Sequence, residues 1–179
     1  DGNVDLVLAQ NFYWPQPETG RMGGGLGQYL RGNGDGSFEP IEPAESGIVV
    51  PEDARSLVAM DFNGDDRLDL AFGLNDGPLT LFSRQGNQDS PEQRLKVSLL
   101  GKKGNPHAIG ALLTLNFSDG STQIREIQAG QGYLSQSLPI AWFGLGDKVP
   151  TTIEVRWTDG KVTMAKVEKG QKNLILSAP

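Results

Sequence analysis

Residues 56–74, SLVAMDFNGDDRLDLAFGL, decide the fold. Two short apolar runs, 56–60 and 68–74, flank a nine-residue loop, 61–69, whose oxygen-bearing side chains stand at alternating positions. Short apolar runs bounded by Asp, Asn and Gly read as strands. The loop offers side-chain oxygens from Asp61, Asn63 and Asp65, the backbone carbonyl of Arg67, and a last carboxylate from Asp69. Calcium suits such a set, because it takes about six to eight oxygen ligands and loops that bind it supply them at positions 1, 3, 5, 7 and beyond. The helical calcium hand requires Glu at position 12, where Phe72 stands, so the expected site is strand-loop-strand. Asp, Asn and Gly also favour turns for their own reasons. Turn chemistry alone does not require strict alternation. With no cation, Asp61, Asp65, Asp66 and Asp69 would repel one another by roughly 1 kcal/mol per close pair even in a watery dielectric.

The pattern occurs again, cut short, at the first residue. Asp1-Gly2-Asn3-Val4-Asp5-Leu6 aligns with Asp65-Asp66-Arg67-Leu68-Asp69-Leu70 at an offset of 64. Downstream, Tyr29-Leu30-Arg31-Gly32-Asn33-Gly34 aligns with Leu81-Phe82-Ser83-Arg84-Gln85-Gly86 at an offset of 52, and the difference falls in the aromatic, Gly-rich stretch 11–27. Two copies of one unit of about 60 residues point to a repeat architecture whose units cannot bury their faces alone. The expectation is one complete unit plus a remnant, the C-terminal piece of a longer repeat protein, with further blades upstream or from another chain.

The stretch DFNGDDRLDLAFG resembles the FG-GAP or VCBS repeat of integrin-like β-propellers, in which a DxNGDGxxDL loop between the first two strands of a blade binds calcium. The family has Gly at the sixth loop position and this chain has Asp66. That position often needs positive φ, which Asp tolerates less well than Gly but better than most residues. The second half, through NPHAIGALLTL (105–115), GQGYLSQS (130–137), FGLGD (143–147) and IEVRWTDGK (153–161), resembles the ASPIC/UnbV domain. That domain follows such repeats in secreted proteins and also occurs in bacterial proteins. The resemblance implies a calcium-binding protein of the extracellular space, periplasm or cell surface, and no reaction.

Composition agrees. The 179 residues include 24 Gly and 11 Pro against 37% hydrophobic residues, which suits short strands and many turns. The fold expected is all-β: the C-terminal part of a repeat β-propeller over 1–88, then a small β-sandwich over 94–179, joined by the polar linker QGNQDSPEQR at 85–94. In the second half, Leu113, Leu115 and Phe117, and then Ile153, Val155 and Trp157, alternate as half-buried strands do. Each run leads into an Asp-Gly turn, Asp119-Gly120 and Asp159-Gly160, the strongest short-range hairpin signal. The two hairpins are 40 residues apart. The strands 95–100 and 173–176 are expected on the outside of the sandwich.

A net charge of −6 with no basic stripe argues against nucleic acid, which is bound through clustered Lys and Arg. The absence of Cys removes disulfides, zinc thiolates and thiol catalysis. No apolar run approaches the 18 or so residues that span a bilayer, so no membrane insertion is expected. Catalytic candidates are few. His107 is the only histidine, and a hydrolase built on it would need it within reach of Ser135 or a carboxylate. Tyr133, Ser135 and Gln136 read as organisers of a turn.

The stretch 11–27 is the best candidate for recognition. It carries Tyr13 and Trp14, contacts for a protein or glycan partner if exposed and cover for the blade if folded back. Two readings of function stand side by side. One is a calcium-binding structural and interaction module. The other is an accessory domain that binds a small ligand or glycan in a pocket, within a biosynthetic or polymer-degrading system.

Overall fold

The computed structural model describes residues 1–85 and 93–179. Most of the expected linker, 86–92, lies outside the described residues. Thirteen strands and one four-residue helix are present among the described residues, an all-β protein as expected. The chain forms two compact units. One holds Asn3–Gln85 together with Gly130–Leu138; the other holds Asp1–Gly2, the described part of 86–129, and Pro139–Pro179.

The first unit contains two antiparallel three-stranded sheets. Strands β1 (Leu6–Leu8), β2 (Gln28–Gly32) and β3 (Phe38–Ile41) make one; β4 (Ala54–Met60), β5 (Asp69–Leu74) and β6 (Thr80–Phe82) make the other. The register reproduces the sequence repeat. Leu6 pairs with Leu30, and their counterparts at offsets 64 and 52, Leu70 and Phe82, pair with each other. Thus β1 and β2 are the equivalents of β5 and β6. The expected complete unit plus remnant resolves into two sheets of three strands each, and neither closes on itself. Their shared core is Ile48, Val50, Ala54 and Phe72, with Val7, Tyr29, Leu70 and Phe82 packed against it. Phe72 is fully buried and meets Phe82 edge to face at 5.5 Å. Burying such a ring stabilises by about 2–3 kcal/mol.

The second unit is a sandwich. Strands β8 (Leu112–Phe117), β9 (Thr122–Glu126), β11 (Pro150–Arg156) and β12 (Val162–Lys166) form one sheet in the order β12-β11-β8-β9; β7 (Arg94–Leu100), β10 (Ile140–Gly144) and β13 (Asn173–Ser177) form the other, ordered β10-β7-β13. Inward residues of both sheets make one core, including Leu95, Val97, Leu113, Leu115, Phe143, Ile153 and Val155. The two Asp-Gly hairpins are alike bond for bond. Gly120 N–H donates to the Phe117 carbonyl at 3.1 Å and Gly160 N–H to the Trp157 carbonyl at 2.9 Å, each glycine at φ 81°. One expectation is corrected. Strand β7 is not on the outside but is the central strand of its sheet, antiparallel to β10 and parallel to β13. Its alternation of Leu95, Val97 and Leu99 inward says that one face is buried, and that pattern is shared by central and edge strands.

Candidate functional site

The pairing of Met60 with Asp69 brings the two ends of the 61–69 loop side by side at the end of β4 and β5. The loop then folds over its own first carboxylate. Asp61 Oδ1 accepts N–H bonds from Gly64 at 2.8 Å and Asp65 at 3.1 Å, and Oδ2 accepts from Asp66 at 3.1 Å. Asn63 Oδ1 accepts from Asp65 N–H at 3.0 Å, and Asp65 Oδ1 from Arg67 N–H at 2.9 Å. Asp66 sits at φ 62°, the left-handed conformation the sixth position was expected to need. Burial would raise the Asp65 carboxyl, but the Arg67 N–H, Asn63 and the Arg67 guanidinium at 3.3 Å together hold it below the ordinary range.

Asp69 is different. It is fully buried, Oδ1 accepting from Arg84 N–H at 2.8 Å and Oδ2 from Phe62 N–H at 3.3 Å. Its counterpart one repeat earlier does the same work. Asp5 Oδ1 accepts from the N–H of Gly32, the counterpart of Arg84, at 2.9 Å. In both copies the last carboxylate of the loop therefore ties the start of one strand to the end of the next. The two alignment offsets match Asp5 to Asp69 and Gly32 to Arg84, but they do not pair carboxylate with N–H; that pairing is seen only in the structure.

The donors Asp61, Asn63, Asp65, the Arg67 carbonyl and Asp69 are all oxygen, and an oxygen that accepts one N–H keeps a second lone pair. By type they fit calcium. In the arrangement shown the loop is closed on its own N–H groups, and among the described residues no three acidic or histidine side chains are gathered closely enough to hold a metal ion.

Residues 1–72 match the family described as FG-GAP-like repeat, and residues 101–179 the family described as ASPIC and UnbV. The chain joins an FG-GAP-like repeat to an ASPIC and UnbV domain. It is 33% identical to cartilage acidic protein 1 of Homo sapiens over 150 residues, covering 82% of this chain and 22% of that protein. To cartilage acidic protein 1 of Xenopus tropicalis it is 32% identical over 180 residues, 98% of this chain and 27% of that protein. The chain thus spans about a quarter of the length of the curated relatives it matches. Neither family description nor the relatives' name carries a reaction.

Within the FG-GAP-like repeat, the 11–27 stretch is a built loop. Phe12 and Met22 exchange backbone bonds at 2.8 and 2.9 Å. Asn11, at φ 81°, accepts from the Gly24 and Gly25 N–H groups and donates to carbonyls of Gly25, Pro51 and Glu52. Tyr13 is half-buried: its hydroxyl donates to the Pro51 carbonyl, its N–H to Asp53, and Arg21 lies 3.7 Å over its ring. Trp14 does not fold back; it is 72% exposed. Buried Asp53 anchors the loop, paired with Arg55 at 2.7 Å and bonded to Asn75. Burial pushes the Asp53 carboxyl up, and the Tyr13 N–H, Arg55 and Asn75 outweigh it, so the carboxyl lies below its usual range.

In the ASPIC and UnbV domain, His107 is exposed and makes no hydrogen bond or ion pair among the described residues. The hydrolase reading required such a partner and is dropped. The stretch GQGYLSQS does organise a turn, with the Gly130 N–H donating to Gln136 Oε1 at 3.2 Å. Sequence reasoning missed where that turn packs. Gly130–Leu138 belongs with the repeat unit, where Ser137 Oγ accepts the Ala59 N–H of β4 at 3.1 Å.

Proposed function

We propose that this chain is a calcium-stabilised interaction module of a protein outside the cytoplasm, at the cell surface, in a periplasm or in the extracellular space. The observation that carries the reading is the all-oxygen set Asp61, Asn63, Asp65, Arg67 carbonyl and Asp69, folded onto one loop with Asp66 already left-handed. A bound calcium would supply the positive charge that offsets repulsion among the loop's carboxylates. Asp61 and Asp65 would turn part of their oxygen capacity from the loop's N–H groups to the cation, while Asp69 keeps its two N–H bonds. Kinship with proteins named for cartilage and acidity, and a net charge of −6, support an extracellular setting. The partner is a protein or a glycan, met by the exposed Trp14 on a loop that Asn11, Tyr13 and Asp53 hold in shape.

Calorimetric titration with CaCl₂ tests this on the whole chain and on Asp65→Ala. One site of extracellular-type affinity, around 10⁻⁴ to 10⁻³ M, is expected in the parent and not in the variant. At millimolar calcium the gain in stability is on the order of 1 kcal/mol by mass action, read as a melting point that falls on adding chelator. No calcium uptake and chelator-independent melting would overturn the reading.

A further inference from the structure

The repeat unit contains an open cleft of about 550 Å³ walled by β1, β4 and the Gly130–Leu138 segment. That volume lies in the range of small-molecule sites, about 300–1,000 Å³. Its lining includes the apolar Leu57 and Leu70 together with Tyr133, Ser135 and Ser137. Both charged side chains on the wall are already committed. Asp5 accepts from the Tyr29 hydroxyl at 2.8 Å and the Gly32 N–H at 2.9 Å, and Arg55 is paired with Asp53. The cleft therefore offers the Tyr133 ring, the Ser137 hydroxyl and apolar surface with no unpaired charge.

The Gly130–Leu138 segment that lines it does more than cover the open edge of β4. Covering that edge needs the bond from Ala59 N–H to Ser137 Oγ and little else. Instead, the segment carries a cost that covering an edge does not require: Ser135 Oγ is shut off from water, packed against Gly132, and makes no hydrogen bond. Leu134 is held at φ 51°, a conformation a branched apolar residue rarely takes, and Tyr133 and Leu134 are 70% and 74% exposed. The strained backbone thus accompanies an exposed aromatic ring in the lining of the cleft.

We propose that this cleft binds a neutral, hydroxyl-rich ligand of mono- to disaccharide size, stacked on Tyr133 and bonded through the Ser137 hydroxyl, whose oxygen accepts the Ala59 N–H and whose own proton is left to donate. A sugar ring matches this lining, its C–H face on the aromatic and apolar surface and a hydroxyl on Ser137. The site is separate from the calcium loop. It gives the glycan alternative a place other than Trp14.

Saturation-transfer NMR on the full chain tests it with glucose, N-acetylglucosamine, lactose and cellobiose, and with glucuronate and inorganic phosphate as charged probes. Each is run in calcium and in chelator. Saturable signals from at least one neutral sugar and none from phosphate are expected. Tyr133→Ala, an exposed change that leaves the fold intact, should weaken binding about tenfold, the loss of one stacking contact. Leu57→Trp should abolish it by filling the cleft, and Trp14→Ala should leave it unchanged. No signal from any neutral sugar at about 10 mM, beyond which affinity has no useful meaning, would overturn the proposal. So would binding by charged probes alone, or loss with Trp14→Ala and not with Tyr133→Ala. Sugar binding that persists while calcium uptake fails supports this site and removes the calcium reading.

Discussion

Asp69 shows how far residue spacing carries and where it stops. Alternation identified it as an oxygen donor, and spacing alone made it look like a calcium ligand of the same standing as Asp61 and Asp65. The structure gives it a second task, two N–H bonds from Arg84 and Phe62 in a place closed to water. The partner fifteen positions away was not legible in the sequence, because the repeat offsets match Asp5 to Asp69 and Gly32 to Arg84 without pairing carboxylate with N–H, and no local rule links a loop carboxylate to the end of the next strand. That task needs no metal. Asp69→Ala, measured by urea unfolding in chelator, should therefore lose about 2–4 kcal/mol, since two buried N–H groups are left without acceptors. Asp69→Asn, which keeps one acceptor oxygen and the volume, should lose about half of that. A variant as stable as the parent in chelator would show that Asp69 acts only as a ligand.

At the scale of elements, the hairpins β8–β9 and β11–β12 were fully legible. Alternating apolar residues fix which face is buried, and Asp-Gly fixes the turn. The turn chemistry is plain in the structure, where Asp119 Oδ1 accepts the Ser121 N–H at 2.9 Å and Asp159 Oδ1 the Lys161 N–H at 3.2 Å. Gly120 and Gly160 both stand at φ 81° with open space where a Cβ would project. The cost of a side chain there is purely one of backbone conformation, so Gly160→Ala should lower stability by about 1 kcal/mol and Gly160→Asn by less, read from thermal melts. Equal losses for the two would point to a steric cause instead. Strand order was less legible. Nothing in 95–100 distinguishes a central strand from an outer one, and its parallel partner β13 lies more than seventy residues on. The Gly130–Leu138 segment was read correctly as a turn, but its packing on β4 follows from an open strand edge elsewhere in the chain, which no local pattern announces.

For the whole molecule, composition set the class and the charge, and the structure shows how that charge is used. Twenty-two acidic residues against sixteen basic ones could mean that acid relieves repulsion and stabilises the fold. The pairings argue the other way. The Asp119 carboxyl is held low by the Ser121 hydroxyl and N–H, that of Asp35 by Ser37, and that of Asp159 by Lys102 and the Lys161 N–H. Asp53 and Asp65 are also held low, their N–H, amide and Arg partners outweighing burial. A carboxyl whose folded pKa lies below its unfolded value of about 3.9 adds stability that is complete above that value and is lost as pH falls through the folded one. Acid also leaves the Lys and Arg charges with no acidic counterparts, adding repulsion in the folded state. The melting temperature should therefore be nearly flat from about pH 7 to 5 and fall steeply below about pH 4, followed by circular dichroism. Because Asp35, Asp53, Asp119 and Asp159 lie outside the 61–69 loop, the fall should survive in chelator, whereas loss of calcium alone would make it vanish there. A melting temperature that rises on acidification would show that repulsion among the acidic residues outweighs every pairing described.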